Sequence, residues 1–229
     1  VKRDSRVLWS GGAERPMAPA SLTKMMTALL VIERGRLDEV VTVSRAAARE
    51  TGARLGLRAG DQLRAHDLLA AVVVRSANDA CRALADHDGP GFVARMNQRA
   101  LALGLARTRF VDPCGHDRPG QYSTAADLAR LAEQVMRHPE YVRLSRISRM
   151  RVATLDERRK FSFQNTNALI GRYDGALGVK TGFTAHAGHC LVALAEKDGV
   201  RVLVVLLNAP NRWWNAVGLL DRAFEARTL

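Results

Sequence analysis

Ser21 and Lys24 are three residues apart in Ser21-Leu22-Thr23-Lys24, a spacing that puts both side chains on one face of a helix. A serine hydroxyl is a poor nucleophile until a base takes its proton. A lysine amine does this only when burial or a neighbouring cation pulls its pKa toward neutrality. Two further polar clusters follow in the chain, Ser76-Ala77-Asn78 and Lys180-Thr181-Gly182. Lys180 is a second cation able to keep Lys24 neutral, since like charges disfavour the charged form, and it can hold a substrate carboxylate. Thr181 adds a hydroxyl hydrogen bond, and Gly182 lets a strand edge come close. Ser76 and Asn78 can relay a proton to a leaving amine and hold the substrate backbone. The backbone N–H groups of Ser21 and Phe183 are the natural oxyanion donors. The chemistry expected is covalent acyl transfer, with catalytic Ser21, Lys24, Ser76 and Asn78 and substrate-binding Lys180, Thr181, Gly182 and Phe183.

The elements needed to position these groups are legible in the hydrophobic spacing. Leu22, Met25, Met26, Leu29, Leu30 and Ile32 recur at helical intervals from Ser21 to Arg34, with Gly35 as the stop. The positive end of this helix would favour negative charge developing at Ser21. Val7-Leu8-Trp9 reads as a short strand within Arg6–Ser10, and Leu37–Ser44 as a strand or extended edge. The middle of the chain reads as helices over His66–Val74, Asp79–Asp86, Phe92–Leu103 and Thr124–Arg137, the last opened by Thr124 as N-cap. Cys190–Ala195 and Val200–Leu207 flank the turn Lys197-Asp198-Gly199 as a hairpin, and Lys180 lies where another strand edge is expected. Trp213–Arg227 closes the chain as a helix, with Trp214, Val217, Leu219, Leu220 and Phe224 on its apolar side.

Strands at both ends with helices between them predict an α/β (α+β) architecture: one antiparallel sheet assembled from the two termini, flanking helices and an inserted helical lobe. The boundaries expected are about 1–44 and 168–229 for the sheet part and about 45–167 for the lobe. Together they make a single catalytic domain over 1–229, and a length of 229 residues permits that.

Lysine and arginine number 35 against 23 acidic residues, a net charge of +12. Spread without a long block, this charge favours anionic surroundings such as nucleic acid, a membrane surface or cell-wall polymer. Aromatics are 5% of the residues, too few for a stacking platform, and no basic recognition helix stands out, so nucleic acid is not expected as a partner. No apolar run approaches the roughly 18 residues of a membrane span. The chain begins at Val1 with no signal-peptide pattern before the first strand, which reads as a processed or trimmed form.

Each triplet alone is common by chance; their order and local context carry the weight. Serine-x-x-lysine at a helix start, then a second motif between helices, then lysine-threonine-glycine on a strand is the set found in β-lactamases and penicillin-binding proteins. Pro19-Ala20-Ser21-Leu22-Thr23-Lys24-Met25-Met26-Thr27-Ala28 resembles the nucleophile segment of the serine-type D-alanyl-D-alanine carboxypeptidases of peptidase family S11, the low-molecular-weight penicillin-binding proteins. Asn78-Asp79-Ala80, Phe92–Asn97, Tyr122–Ala129, Asn165-Thr166-Asn167 and Gly178–Thr184 extend the likeness over nearly the whole chain. The resemblance implies a β-lactamase/transpeptidase-like fold and a periplasmic or extracytoplasmic enzyme. Such an enzyme removes the terminal D-alanine of peptidoglycan stem peptides, is acylated by β-lactams at Ser21 and needs no cofactor. Arg212 resembles an arginine that the family places near the substrate carboxylate. Two departures stand out. Ala77 occupies a position that is often glycine in the family, and the family's usual C-terminal β-rich domain and amphipathic anchor are absent, so membrane anchoring is not carried over. A β-lactamase is disfavoured because no Glu-x-x-Leu-Asn stretch lies between the second and third motifs. A DD-endopeptidase would use the same residues, and a non-catalytic peptidoglycan-binding module is disfavoured by the presence of all the catalytic types.

The remaining polar residues read as structural. Cys81 and Cys190 are expected as small core residues, with no disulfide framework among Cys81, Cys114 and Cys190. His186, His189 and Cys190, or His116 beside Cys114, lack the roughly four converging ligands of a zinc site, so no metal is expected. Of Trp213 and Trp214, at least one is expected in the core.

Overall fold

In the computed structural model, which describes residues 1–4 and 6–226, five strands form one antiparallel sheet in the order β2-β1-β9-β8-β7. Strands β1 (Lys2–Arg3) and β2 (Arg6–Val7) come from the start of the chain; β7 (Ala176–Thr184), β8 (Gly188–Lys197) and β9 (Val200–Leu206) come from its end. Both termini thus build the sheet, as the sequence predicts. The first strand differs: pairing involves Lys2–Arg3 and Arg6–Val7, and Leu8 and Trp9 lie beyond it.

The sheet is covered on both faces, which explains the near-continuous apolar runs of β8 and β9. Successive side chains point to opposite sides. Leu191, Ala193 and Ala195, with Val202 and Val204, pack under Ala216, Leu220 and Ala223 of helix α8 (Arg212–Glu225). Cys190, Val192, Leu194 and Leu203 face the main core, to which helix α1 (Lys24–Arg34) also belongs. Trp213 joins the α8 core, whereas Trp214 projects into solvent at 84% exposure and leaves the apolar side expected for it. The expected helix end at Arg227 lies outside the described residues.

Helix α1 is buried on all sides from Lys24 to Leu29. Such a helix is a core element rather than a surface one. It packs against α4 (Asn78–Asp88), α5 (Phe92–Ala102), α6 (Ala125–Val135) and α7 (Pro139–Ser145). Thr124 caps α6 by accepting a hydrogen bond from the Asp127 N–H, as the sequence predicts. The strand pair β3–β4 (Val40–Thr42 with Gln62–Arg64), joined through a short helix, and the hairpin β5–β6 (Arg149–Ala153 with Lys160–Gln164) edge the lobe. Strand β4, the β5–β6 hairpin and α7 are not among the elements the sequence spacing predicts.

One covalent link corrects the sequence reading: Cys81 and Cys114 form a disulfide across 33 residues, and only Cys190 is free. Cys81 is buried as expected, but its partner sits on a loop that only the tertiary fold brings to α4.

Candidate active site

Ser21 lies in a 3-10 turn, Ala20–Thr23, so the α-helix itself begins at Lys24 rather than at the serine. The turn and the helix are continuous, and the Lys24 amine comes to 2.9 Å from Ser21 Oγ. It also donates to Asn78 Oδ1 at 2.7 Å and to the Cys114 carbonyl. A neutral amine has two N–H groups and one lone pair. With Asn78 and Cys114 taking the N–H groups, the lone pair is left for the Ser21 hydroxyl. Burial lowers the Lys24 pKa to about 7, against the pull of Asp112 and Glu50, which raise it. This is the condition a lysine base requires.

The second cluster is shaped by backbone strain. Helix α3 (Ala65–Ala70) runs into a wider π-turn, Ala71–Arg75, that ends at Ser76 with φ +62. Left-handed conformations of non-glycine residues are uncommon, and both they and π-turns gather at functional sites. Ala77 has φ −66, so its methyl group costs no backbone strain. Asn78 opens α4, and its amide donates to the Thr51 carbonyl at 2.5 Å.

Lys180, Thr181 and Gly182 lie on β7, the sheet edge nearest Ser21. The Lys180 amine donates to Ser76 Oγ at 2.6 Å and to the Thr181 carbonyl at 3.0 Å. Its pKa is well below the ordinary lysine value because of burial, then the charges of Lys24 and Arg212. The sequence argument gives Lys180 the task of helping to hold Lys24 neutral; burial is the main cause of the lowered Lys24 pKa, and the repulsion between the two amines disfavours the charged form of each. Thr181 Oγ1 is 2.7 Å from Thr166 Oγ1, which brings the Asn165-Thr166-Asn167 stretch to the site. Gly182 is favoured by proximity: a Cβ there would sit 3.2 Å from Ser21 N and 3.1 Å from Ala20 Cβ, closer than ordinary contact. Phe183 is exposed, its ring tilted against His189 at 4.6 Å. Arg212 donates from Nη1 to the Gly182 and Cys190 carbonyls at 2.7 and 3.2 Å, with Trp213 beneath its guanidinium. All nine residues singled out in the sequence therefore meet where the edge strand β7 faces the Ser21 turn and the start of α4. Two hydroxyl–amine pairs, Ser21 with Lys24 and Ser76 with Lys180, form there.

A family model described as D-alanyl-D-alanine carboxypeptidase, peptidase S11, matches residues 2–211. The chain belongs to this family. It is 34% identical over 237 residues to the D-alanyl-D-alanine carboxypeptidase DacF of Bacillus subtilis, covering 98% of the chain and 61% of DacF. It is 35% identical over 210 residues to a D-alanyl-D-alanine endopeptidase of Pseudomonas aeruginosa, covering 89% of the chain and 67% of that protein. The crystal structure of the Streptomyces K15 DD-transpeptidase superposes with a TM-score of 0.91 at 28% identity, over 97% of this chain and 94% of that one. The fold is therefore the β-lactamase/transpeptidase-like one. The S11 chain described here spans about three fifths of the length of DacF.

Sequence reasoning missed the layer that supports Lys24. The loop before α6 carries Asp112, whose Oδ1 accepts from the N–H groups of Cys114 (2.8 Å), Gly115 (2.6 Å) and His116 (3.1 Å), folding the loop so that the Cys114 carbonyl meets Lys24. The signal available was Asp112-Pro113-Cys114-Gly115, a combination with turn chemistry. Asp79, at the first turn of α4, accepts from the N–H groups of Leu55, Gly56 and Leu57 and ties that segment to the second cluster. Among the described residues no group of three or more histidine, cysteine or acidic side chains is arranged to hold a metal; His186 and His189 lie apart in the β7–β8 turn and on β8.

Proposed function

We propose that the chain is the single catalytic unit, over 1–229, of a serine DD-carboxypeptidase that removes the terminal D-alanine from peptidoglycan stem peptides. The observation that carries this reading is the buried Lys24 amine, with its pKa lowered to about 7, lying 2.9 Å from Ser21 Oγ. Ser21 Oγ attacks the penultimate D-alanine carbonyl while its proton passes to Lys24. The N–H groups of Ser21 and Phe183 meet the oxyanion. The bond to the terminal D-alanine breaks, and its nitrogen takes the Ser76 hydroxyl proton, which the hydrogen-bonded Lys180 ammonium replaces. Water then attacks the ester, returning one proton to the Ser76–Lys180 pair, while Lys24 gives its proton back to the Ser21 oxygen. Lys180, Thr181 and Arg212 hold the substrate's terminal carboxylate, Asn78 its backbone. β-Lactams acylate the same serine and no cofactor is required.

The disulfide supports an extracytoplasmic setting, since such bonds persist in oxidising compartments. Among the described residues no helix is long and apolar enough to cross a membrane. The similarity to the P. aeruginosa endopeptidase favours a second reading, cleavage of cross-links by the same residues. Intact-mass analysis after incubation with benzylpenicillin tests the acyl-enzyme: one adduct is expected on the parent protein and none on Ser21→Ala. Release of D-alanine from a linear peptide ending in D-alanyl-D-alanine, against cleavage of a cross-linked dimer, separates the two activities.

A further inference from the structure

Behind Lys24 lies a charge cluster that the acyl-transfer scheme does not use. The His116 ring sits between two carboxylates: Nδ1 is 3.1 Å from Asp112 Oδ1 and Nε2 is 3.1 Å from Glu50 Oε2. Both carboxylates favour the protonated form of Lys24. Left uncompensated, they would hold a proton on the amine that must accept one from Ser21. An imidazolium is the form in which both contacts are attractive, with Nδ1–H donating to Asp112 and the ring charge at ion-pair distance from Glu50, and the hydrogen bond to Asp112 raises the His116 pKa in that direction. The ring also approaches the Asn78 amide, Nε2 to Nδ2 at 3.4 Å, and that amide gives an N–H to the Thr51 carbonyl.

We propose that His116 is a positioning residue for acylation: lying between Asp112 and Glu50, its imidazolium offsets one of their two negative charges and so weakens their hold on a proton at the Lys24 amine. The charged groups around it come from every neighbouring element. Lys24 faces it from α1, Glu50 from the segment after α2 (Arg45–Ala48), and Arg82 from α4, 3.9 Å from the far oxygen of Glu50. Asp117, next in sequence, is turned away and accepts from Thr184. The proposal rests on the reading of Lys24 as base.

Two substitutions give opposite signs. His116→Gln removes the compensating charge, so the acid limb of the benzylpenicillin acylation rate should move up by about 0.5–1 pH unit, a three- to tenfold loss below the limb and a much smaller one above it. Glu50→Gln removes one of the carboxylates, so the limb should move down. Shifts in the same direction, no shift, or a loss from His116→Gln that is uniform across pH would overturn the proposal. Titration of isotope-labelled Lys24 in the parent and both variants reads the same shifts without turnover. If the parent protein is not acylated, the function reading fails and this titration still decides the role of His116. If His116→Gln does not fold, titration of the isotope-labelled His116 ring in the parent decides it: a ring that is neutral at the acid limb of acylation overturns the proposal.

Discussion

The Lys180 amine is hydrogen-bonded to the Ser76 hydroxyl at 2.6 Å, bridging 104 residues of sequence. Lys24 reaches Ser21 and not Ser76, so each lysine serves its own hydroxyl and the two should fail differently. Lys24→Ala should slow acylation at least about a hundredfold for donors with and without a free carboxylate, the scale of a lost general base. Lys180→Ala should penalise carboxylate-bearing donors more. Second-order acylation constants for a penicillin and a carboxylate-free thioester, measured on both variants, check the division; equal proportional losses would refute it.

The disulfide should hold the second cluster to the loop that feeds Lys24. Cys81 lies on α4, one turn from Asn78, and Cys114 supplies a carbonyl to the Lys24 amine. Closing a loop of 33 residues corresponds to about 3–4 kcal/mol of unfolded-state entropy. The double variant Cys81→Ala/Cys114→Ala should lose stability on that scale in denaturant titration. Dithiothreitol should destabilise the parent and leave the variant unmoved.

Gly115 should be irreplaceable. It has φ +88, and a Cβ there would run into the Ala20 carbonyl and lie 2.9 Å from Ser21 N. Gly60 has nearly the same φ, +89, with nothing within 4 Å of the corresponding Cβ. Gly60→Ala should cost only the left-handed backbone penalty, about 1–2 kcal/mol. Gly115→Ala should cost more and also abolish penicillin acylation, because the nucleophile's backbone must move. Comparable melting shifts for the two, with acylation intact, would show that the loop yields.

How far the sequence reveals this site depends on the range of the interactions involved. Ser21, Lys24, Ser76, Asn78 and Lys180–Gly182 were legible because local spacing on a helix, a turn and a strand already fixes their role types. So was the sheet built from both chain ends, through the short strand near Val7 and the apolar runs Cys190–Ala195 and Val200–Leu207 around the turn Lys197-Asp198-Gly199. The Cys81–Cys114 bond and the Asp112–His116–Glu50 cluster were not, because each joins segments that have no local signature and meet only in the tertiary fold. Trp214 failed for a related reason: helical spacing says which residues share a face, not where that face's covered width ends.

The buried Lys24 amine makes a statement about stability as well as catalysis. In the unfolded chain this amine keeps its proton up to about pH 10.5; in the folded protein burial releases it near 7. Between those values the unfolded state binds more protons, so this residue makes stability rise with pH. Below about pH 7 both states are protonated, and the cost of burying the charge is fully present. Lys24→Met removes the titrating group while keeping a buried side chain of similar length. It also strips Asn78 Oδ1 and the Cys114 carbonyl of a donor, so absolute stabilities mix two effects and only the pH slope is diagnostic. Denaturant titrations from pH 6.5 to 9.5 should show the parent gaining stability relative to Lys24→Met as pH increases. A constant difference would mean that Lys24 keeps its proton in the folded state throughout, and Ser21 would then need another base.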